Sequence, residues 1–335
     1  MIRRGLKFFF LGIALAFGGI YFLVNTPVQL PQTPFEFSLK HGSSLRSVAR
    51  QLTEAGMLRE PWTFILVARL KGREGDVKAG NYALERDVTP LQLLSIVTRG
   101  DVSQNEITFI EGWTFKQMRK ALDEHVNVKH DSAGLSDREI LRRLGSTENF
   151  SEGLFYPDTY YFSGGMSDLS ILKRAYQVMQ TKLASAWRER KSDLPFATPY
   201  EALVMASIVE KETGQAKERP LIAAVFINRL RLNMRLQTDP TVIYGLGDKF
   251  DGNLRKRDLI TDTVYNTYTR SGLPPTPIAM PGWGSIYATL HPADTSALYF
   301  VGKGDGTHHF SASLVEHNRA VARYQLNSQK HAEHN

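Results

Sequence analysis

Two acids, Glu210 and Glu212, close a run of residues that is otherwise almost wholly apolar, Ala202 to Val209. Thr198 as N-cap, Pro199 in the first helical position and Glu201 three residues after the cap predict a helix opened by a capping box, and Gly214 predicts its C-terminal stop. With apolar residues on every face, that helix is expected to be buried. A carboxyl at the end of a buried helix either pairs with a cation or is desolvated, keeping its proton toward neutral pH and able to donate it. Glu210 is the acid read in this way. Glu212 points to roughly the opposite face, which argues against its serving as a second carboxylate for the same reaction.

Downstream, Asn228, Gln237, Thr238, Asp239 and Tyr244 concentrate side chains that hydrogen-bond hydroxyls and acetamides. Tyr265 and Tyr268 add aromatic faces, and Gly272 to Ile278 a rigid, proline-rich loop. Apolar walls carrying a few placed polar groups suit a sugar cleft. Together with Glu212, these residues are the candidate substrate contacts, and Asp239 is the one nearby rival carboxylate. Each alone has a plainer reading: Asp239 before Pro240 favours a turn, and either tyrosine could be a core aromatic. His308 and His309 are adjacent on an expected strand and face opposite sides, and no His-x3-His pair occurs, so no metal site is expected.

The elements that must position these residues are expected to form an α+β chain. Phe37 to Leu52 echoes Ile107 to Leu122: an alternating strand, a glycine turn, a Ser44 or Thr114 N-cap, and a helix. Between them fall a helix from Pro61, a strand at Ala79 to Leu84, and a helix from Pro90 capped by Thr89 and ended by Gly100. Residues 35–110 thus read as a small β-α-α-β module, LysM-like by pattern, that either binds glycan or only positions the rest. A larger mixed α+β catalytic domain, 111–327, follows, with helices near 168–190, 199–213 and 219–232, a strand pair around Gly302 to Gly306, and a last helix from Leu314. Residues 328–335 form a polar tail.

At 335 residues, 42% hydrophobic and 22% charged, the chain has globular composition. No cysteine is present, which excludes disulfides and thiolate chemistry. The net charge of +7 forms no basic stripe interleaved with aromatics, so nucleic acid is not an expected partner. Residues 8–24 carry no charge and follow Arg3, Arg4 and Lys7 in the flank 1–7. The only Ala-x-Ala, Ala14 to Ala16, lies mid-run, which favours a retained single-pass transmembrane helix over a cleaved signal peptide. The positive flank would stay in the cytoplasm of an inner-membrane protein, with everything beyond outside. Residues 25–34 read as a stiff spacer.

The segments Ala206 to Thr213, Phe226 to Leu230, Leu236 to Tyr244, Tyr265 to Tyr268 and Gly272 to Ile278 together resemble the endolytic murein transglycosylase family (MltG, or YceG-like), and the resemblance covers nearly all of the chain. It implies a membrane-anchored lytic transglycosylase that cuts nascent peptidoglycan strands internally, near the synthases that make them, with no cofactor. Carried over by motif, the catalytic acid falls on Glu210. It would protonate the oxygen between N-acetylmuramic acid and N-acetylglucosamine, then take the proton of the C6 hydroxyl as a 1,6-anhydro ring closes. One carboxylate suffices for that, whereas hydrolysis needs two. A muramidase and a non-catalytic, glycan-binding envelope scaffold are the alternatives.

Overall fold

The computed structural model of the chain describes residues 18, 19, 21, 22, 24–30, 33, 35–39, 43–58, 60–100, 105–162 and 164–326. The described residues divide into two compact units: one drawn from Met1–Ile107, Asn127–Lys129 and Tyr160–Ser170, the other from Thr108–Val126, His130–Thr159 and Ile171–Asn335. The whole is a mixed α+β chain of many helices and small sheets.

In the first unit, strands Phe35–Leu39 and Gly80–Leu84 pair antiparallel, with Phe37 opposite Tyr82 and their rings stacked at 5.2 Å. The helices Leu45–Glu54, Pro61–Leu70 and Pro90–Arg99 bury Val48, Leu52, Phe64, Leu93 and Val97 in one core with them. Ser44 and Thr89 cap as their positions suggest, and Gly100 ends its helix in the left-handed region at φ 75°. The expected spacer is partly bound to this unit: Val28 bridges Val88, Leu30 N–H donates to Asp87, and Val28 and Leu30 pack on the core. Of the expected 8–24 anchor, residues 18, 19, 21, 22 and 24 are helical, and the rest lies outside the described residues, as does the 328–335 tail. Among the described residues, no helix is long and apolar enough to cross a membrane.

The second unit is built around the Pro199–Glu212 helix, buried at every position from Ala202 to Val209. The Arg219–Arg231 helix and the Trp283–Leu290 helix pack against it. Thr198 accepts from Glu201 N–H, but Glu201 reaches back to Ala197 N–H rather than to the cap, so the expected capping box is only half formed. The helix ends without a left-handed glycine: Thr213 turns extended at φ −148°, is buried, and accepts from Gln215 N–H. Three further helices among the described residues escaped the sequence reading, the five-residue Lys256–Ile260 and the longer Asp239–Leu246 and Trp283–Leu290. The latter two are eight residues long, and their hydrophobic spacing is too short a signal to separate from a loop. Asp239-Pro240 forms no isolated turn but starts the Asp239–Leu246 helix, with Thr238 at the N-cap.

Candidate active site

Glu210 and Glu212 leave the last turn of their helix in different directions, as their spacing requires. The Glu210 side chain is 6% exposed, accepts from Gly282 N–H at 3.0 Å, and lies 3.8 Å from Arg219 Nη2. The same nitrogen is 3.9 Å from Glu111 Oε2. Glu111 rests on the backbone of Gly282, where a Cβ would lie 1.7 Å from its Oε1. Glu210 thus sits beside a cation, with a backbone N–H donating to it. Burial, and then the charge of Glu210, push the Glu111 carboxyl above its usual range. Glu111 was missed by sequence reasoning, since it sits in the glycine turn of the echoed strand-helix unit with nothing to link it to residue 210.

Glu212 faces a cavity of about 520 Å³. Its Oε1 accepts a very short hydrogen bond from the Thr238 hydroxyl. Burial pushes its carboxyl up to about 7, with Asp239 adding to the shift and Thr238, His308 and Arg229 opposing it. A carboxylate at a helix C-terminus also meets the negative end of the macrodipole.

The cavity wall follows from two motifs that fold as one. Gln237, left-handed at φ 51°, and Thr238 hang their backbone N–H groups on Thr267, at 3.1 Å each. Fully buried Asn266 donates to the carbonyls of Asp258, Leu259 and Thr261, fixing the loop that presents Tyr268. The Tyr268 hydroxyl donates to Asp239 at 2.5 Å. Arg229, 8% exposed, donates to the carbonyls of Leu298, Arg235 and Leu236, and its guanidinium lies over the Tyr299 ring. His308 enters from the His308–Ser311 strand, gripped by Glu218.

The structure therefore gathers Glu212, Gln237, Thr238, Asp239 and Tyr268 into one cavity and separates them from Glu210. Tyr244 and Tyr265 belong elsewhere. The Tyr244 hydroxyl donates to Glu152 at 3.1 Å, its ring meets Tyr265 edge-on at 4.8 Å, and Tyr265 bonds Thr276. Buried Glu152 also accepts from Phe115 N–H, and burial raises its carboxyl to about 7. Asn228 spends its amide on the carbonyls of Thr295 and Ala297. Its neighbour Arg229 is the residue that reaches the cavity, and side-chain polarity alone did not separate the two.

A family model described as the YceG-like family matches residues 37–323. The chain belongs to the YceG-like family. A Bacillus subtilis member named endolytic murein transglycosylase is 32% identical over 311 residues, which span 88% of this chain and 85% of that protein. A Streptococcus pneumoniae protein of the same name, from serotype 2, is 25% identical over 319 residues, covering 85% of this chain and 57% of that longer protein. The crystal structure of a YceG-like protein from Listeria monocytogenes superposes with a TM-score of 0.55 at 27% identity, covering 86% of this chain and 98% of that one.

Proposed function

We propose that this YceG-like chain is a lytic transglycosylase of peptidoglycan, as its named relatives are, and that Glu212 rather than Glu210 is its general acid. The observation that carries the reading is the contrast between the two carboxyls. Glu212 opens onto a cavity and holds its proton to about 7, whereas Glu210 is enclosed beside Arg219 and a backbone N–H. A general acid works best with its proton affinity near the working pH. Glu212 gives its proton to the oxygen between N-acetylmuramic acid and N-acetylglucosamine as the bond from C1 breaks. The C6 oxygen then bonds C1, and on a single-acid scheme the Glu212 carboxylate takes the C6 proton, so no water is consumed. Asp239, engaged by Tyr268, is the carboxylate a hydrolase would need as its second.

The apolar run 8–24 behind Arg3, Arg4 and Lys7 supports a single-pass anchor in the inner membrane, with the cytoplasmic flank inside and the rest outside. The β-α-α-β order of the first unit supports a LysM-like module, 35–110, that steadies the glycan for a catalytic domain at 111–327. Peptidoglycan synthases at the same membrane are the natural protein partners. The test is Glu212→Gln in the full chain, incubated with purified glycan strands. Anhydro-muropeptides seen by mass spectrometry with the wild type should vanish; undiminished release would refute Glu212 as the acid. Reducing-end muramic acid carrying oxygen from labelled water would instead make the enzyme a muramidase.

A further inference from the structure

His308 and Glu218 form a couple built to handle a proton. Glu218 precedes the Arg219–Arg231 helix, and its two oxygens take separate bonds: Oε1 accepts the His308 backbone N–H at 2.9 Å, and Oε2 lies 2.7 Å from Nδ1. Both side chains are largely buried, at 17% and 13% exposure. A carboxylate only accepts, so Nδ1 carries the hydrogen, and in the neutral imidazole the lone pair is on Nε2. Phe300 meets the imidazole edge-on at 5.4 Å and fixes its plane. The ring lines the same cavity as Glu212, and among the described residues the hydrogen bonds of His308 are made by its backbone N–H and Nδ1, not by Nε2. The other titratable groups around this cavity are Asp239, Tyr268, Arg229, Tyr299 and His317. Of these, Arg229 and Asp239 have their polar atoms engaged by carbonyls and by Tyr268.

We propose that His308, oriented by Glu218, is a second catalytic group of this cavity, whose Nε2 accepts the proton of the attacking C6 hydroxyl. The inference rests on Glu212 as the acid and replaces only the second half of the single-acid scheme. Glu212 loses its proton to the leaving oxygen as the C1 bond breaks. The C6 oxygen bonds C1, its proton goes to His308 Nε2, and the resulting imidazolium faces the Glu218 carboxylate. Passage of that proton to the Glu212 carboxylate restores the starting state, with nothing oxidised, reduced or hydrolysed. Glu218 touches no substrate and is a positioning residue.

The two schemes differ in how kcat/KM depends on pH. Glu212 alone gives one limb, falling as pH rises past its proton loss. With His308 as acceptor, the profile is bell-shaped, because protonation of Nε2 at low pH removes the base. The full chain assayed for anhydro-product release should show both limbs. His308→Gln should lower kcat on the order of 100-fold or more and remove the acid limb while leaving the alkaline one. Glu218→Gln should move the acid limb to lower pH, since a carboxylate no longer stabilises the imidazolium. A mere packing role would lower Tm and leave both limbs in place. An acid limb absent from the wild type, or unchanged in His308→Gln, overturns the proposal. Loss of activity in Glu212→Gln would still stand, and would show that only the acceptor was misassigned. Nitrogen-15 NMR of the wild-type imidazole is independent of variant folding: hydrogen on Nδ1 is expected in the neutral form, and hydrogen on Nε2 instead refutes the assignment.

Discussion

Arg219 Nη2 stands between two carboxylates, 3.8 Å from Glu210 Oε1 and 3.9 Å from Glu111 Oε2, while among the described residues Glu212, on the same helical turn as Glu210, makes no ion pair within 4.0 Å. One guanidinium thus separates the two acids chemically. Glu210 thereby links its helix to the start of the next helix and to the loop that ends at Gly282.

If Glu210 is a brace, Glu210→Gln should keep most of the glycan-cleaving activity per folded molecule, because a glutamine oxygen still accepts from Gly282 N–H. Loss of the charge opposite Arg219 should cost on the order of 1 kcal/mol, read as a lowered Tm. Abolished cleavage with an unchanged Tm would return the catalytic role to Glu210.

Thr238 stabilises the ionised form of Glu212 by donating to it. Thr238→Val removes that donor, so the acid should hold its proton to higher pH. The alkaline limb of kcat/KM should move up by on the order of one pH unit. A shift in the opposite direction would mean that the hydroxyl is not bonded to the carboxylate in solution.

Glu152 makes the fold sensitive to pH apart from any catalysis. Its carboxyl ionises near 4.5 in the unfolded chain and at about 7 when buried. The folded state therefore binds the extra proton between those values, and stability falls as pH rises through the window and levels off above it. The loss attributable to this acid is on the order of 3 kcal/mol. Urea midpoints measured from pH 4.5 to 7.5 should fall less steeply in Glu152→Gln than in the wild type.

Gly153 has φ 80°, and a Cβ there would lie 2.4 Å from both Cβ and Cγ of Pro277, a rigid ring with nowhere to move. Gly134 has a similar φ of 75° with nothing within 4 Å. Gly134→Ala should cost about 1 kcal/mol, the backbone strain alone. Gly153→Ala should cost clearly more and disturb the adjacent Glu152. Equal thermal shifts in the two variants would contradict the close packing of Pro277 on this turn.

Much of this chain was written in local chemistry. Thr89, Thr114 and Ser44 begin helices because a side-chain oxygen at the cap accepts a free N–H, a decision made within four residues. The long apolar run from Ala202 to Val209 announces burial whatever surrounds it, and the motif set points to the family. Helical spacing also separates Glu210 and Glu212 onto different faces. Which face receives a cation and which a cavity is decided by partners far along the chain. Gly282 is brought to Glu210, while Thr238, Tyr268, Tyr299 and His308 are brought around Glu212. The proton affinity of a carboxyl depends on desolvation and on charges a few ångströms away, and both are properties of the assembled packing. That a buried helix would end in acids is legible in a dozen consecutive residues. That Glu212 is the one facing a cavity follows from contacts with residues far along the chain, which exist only once the helices and loops have packed.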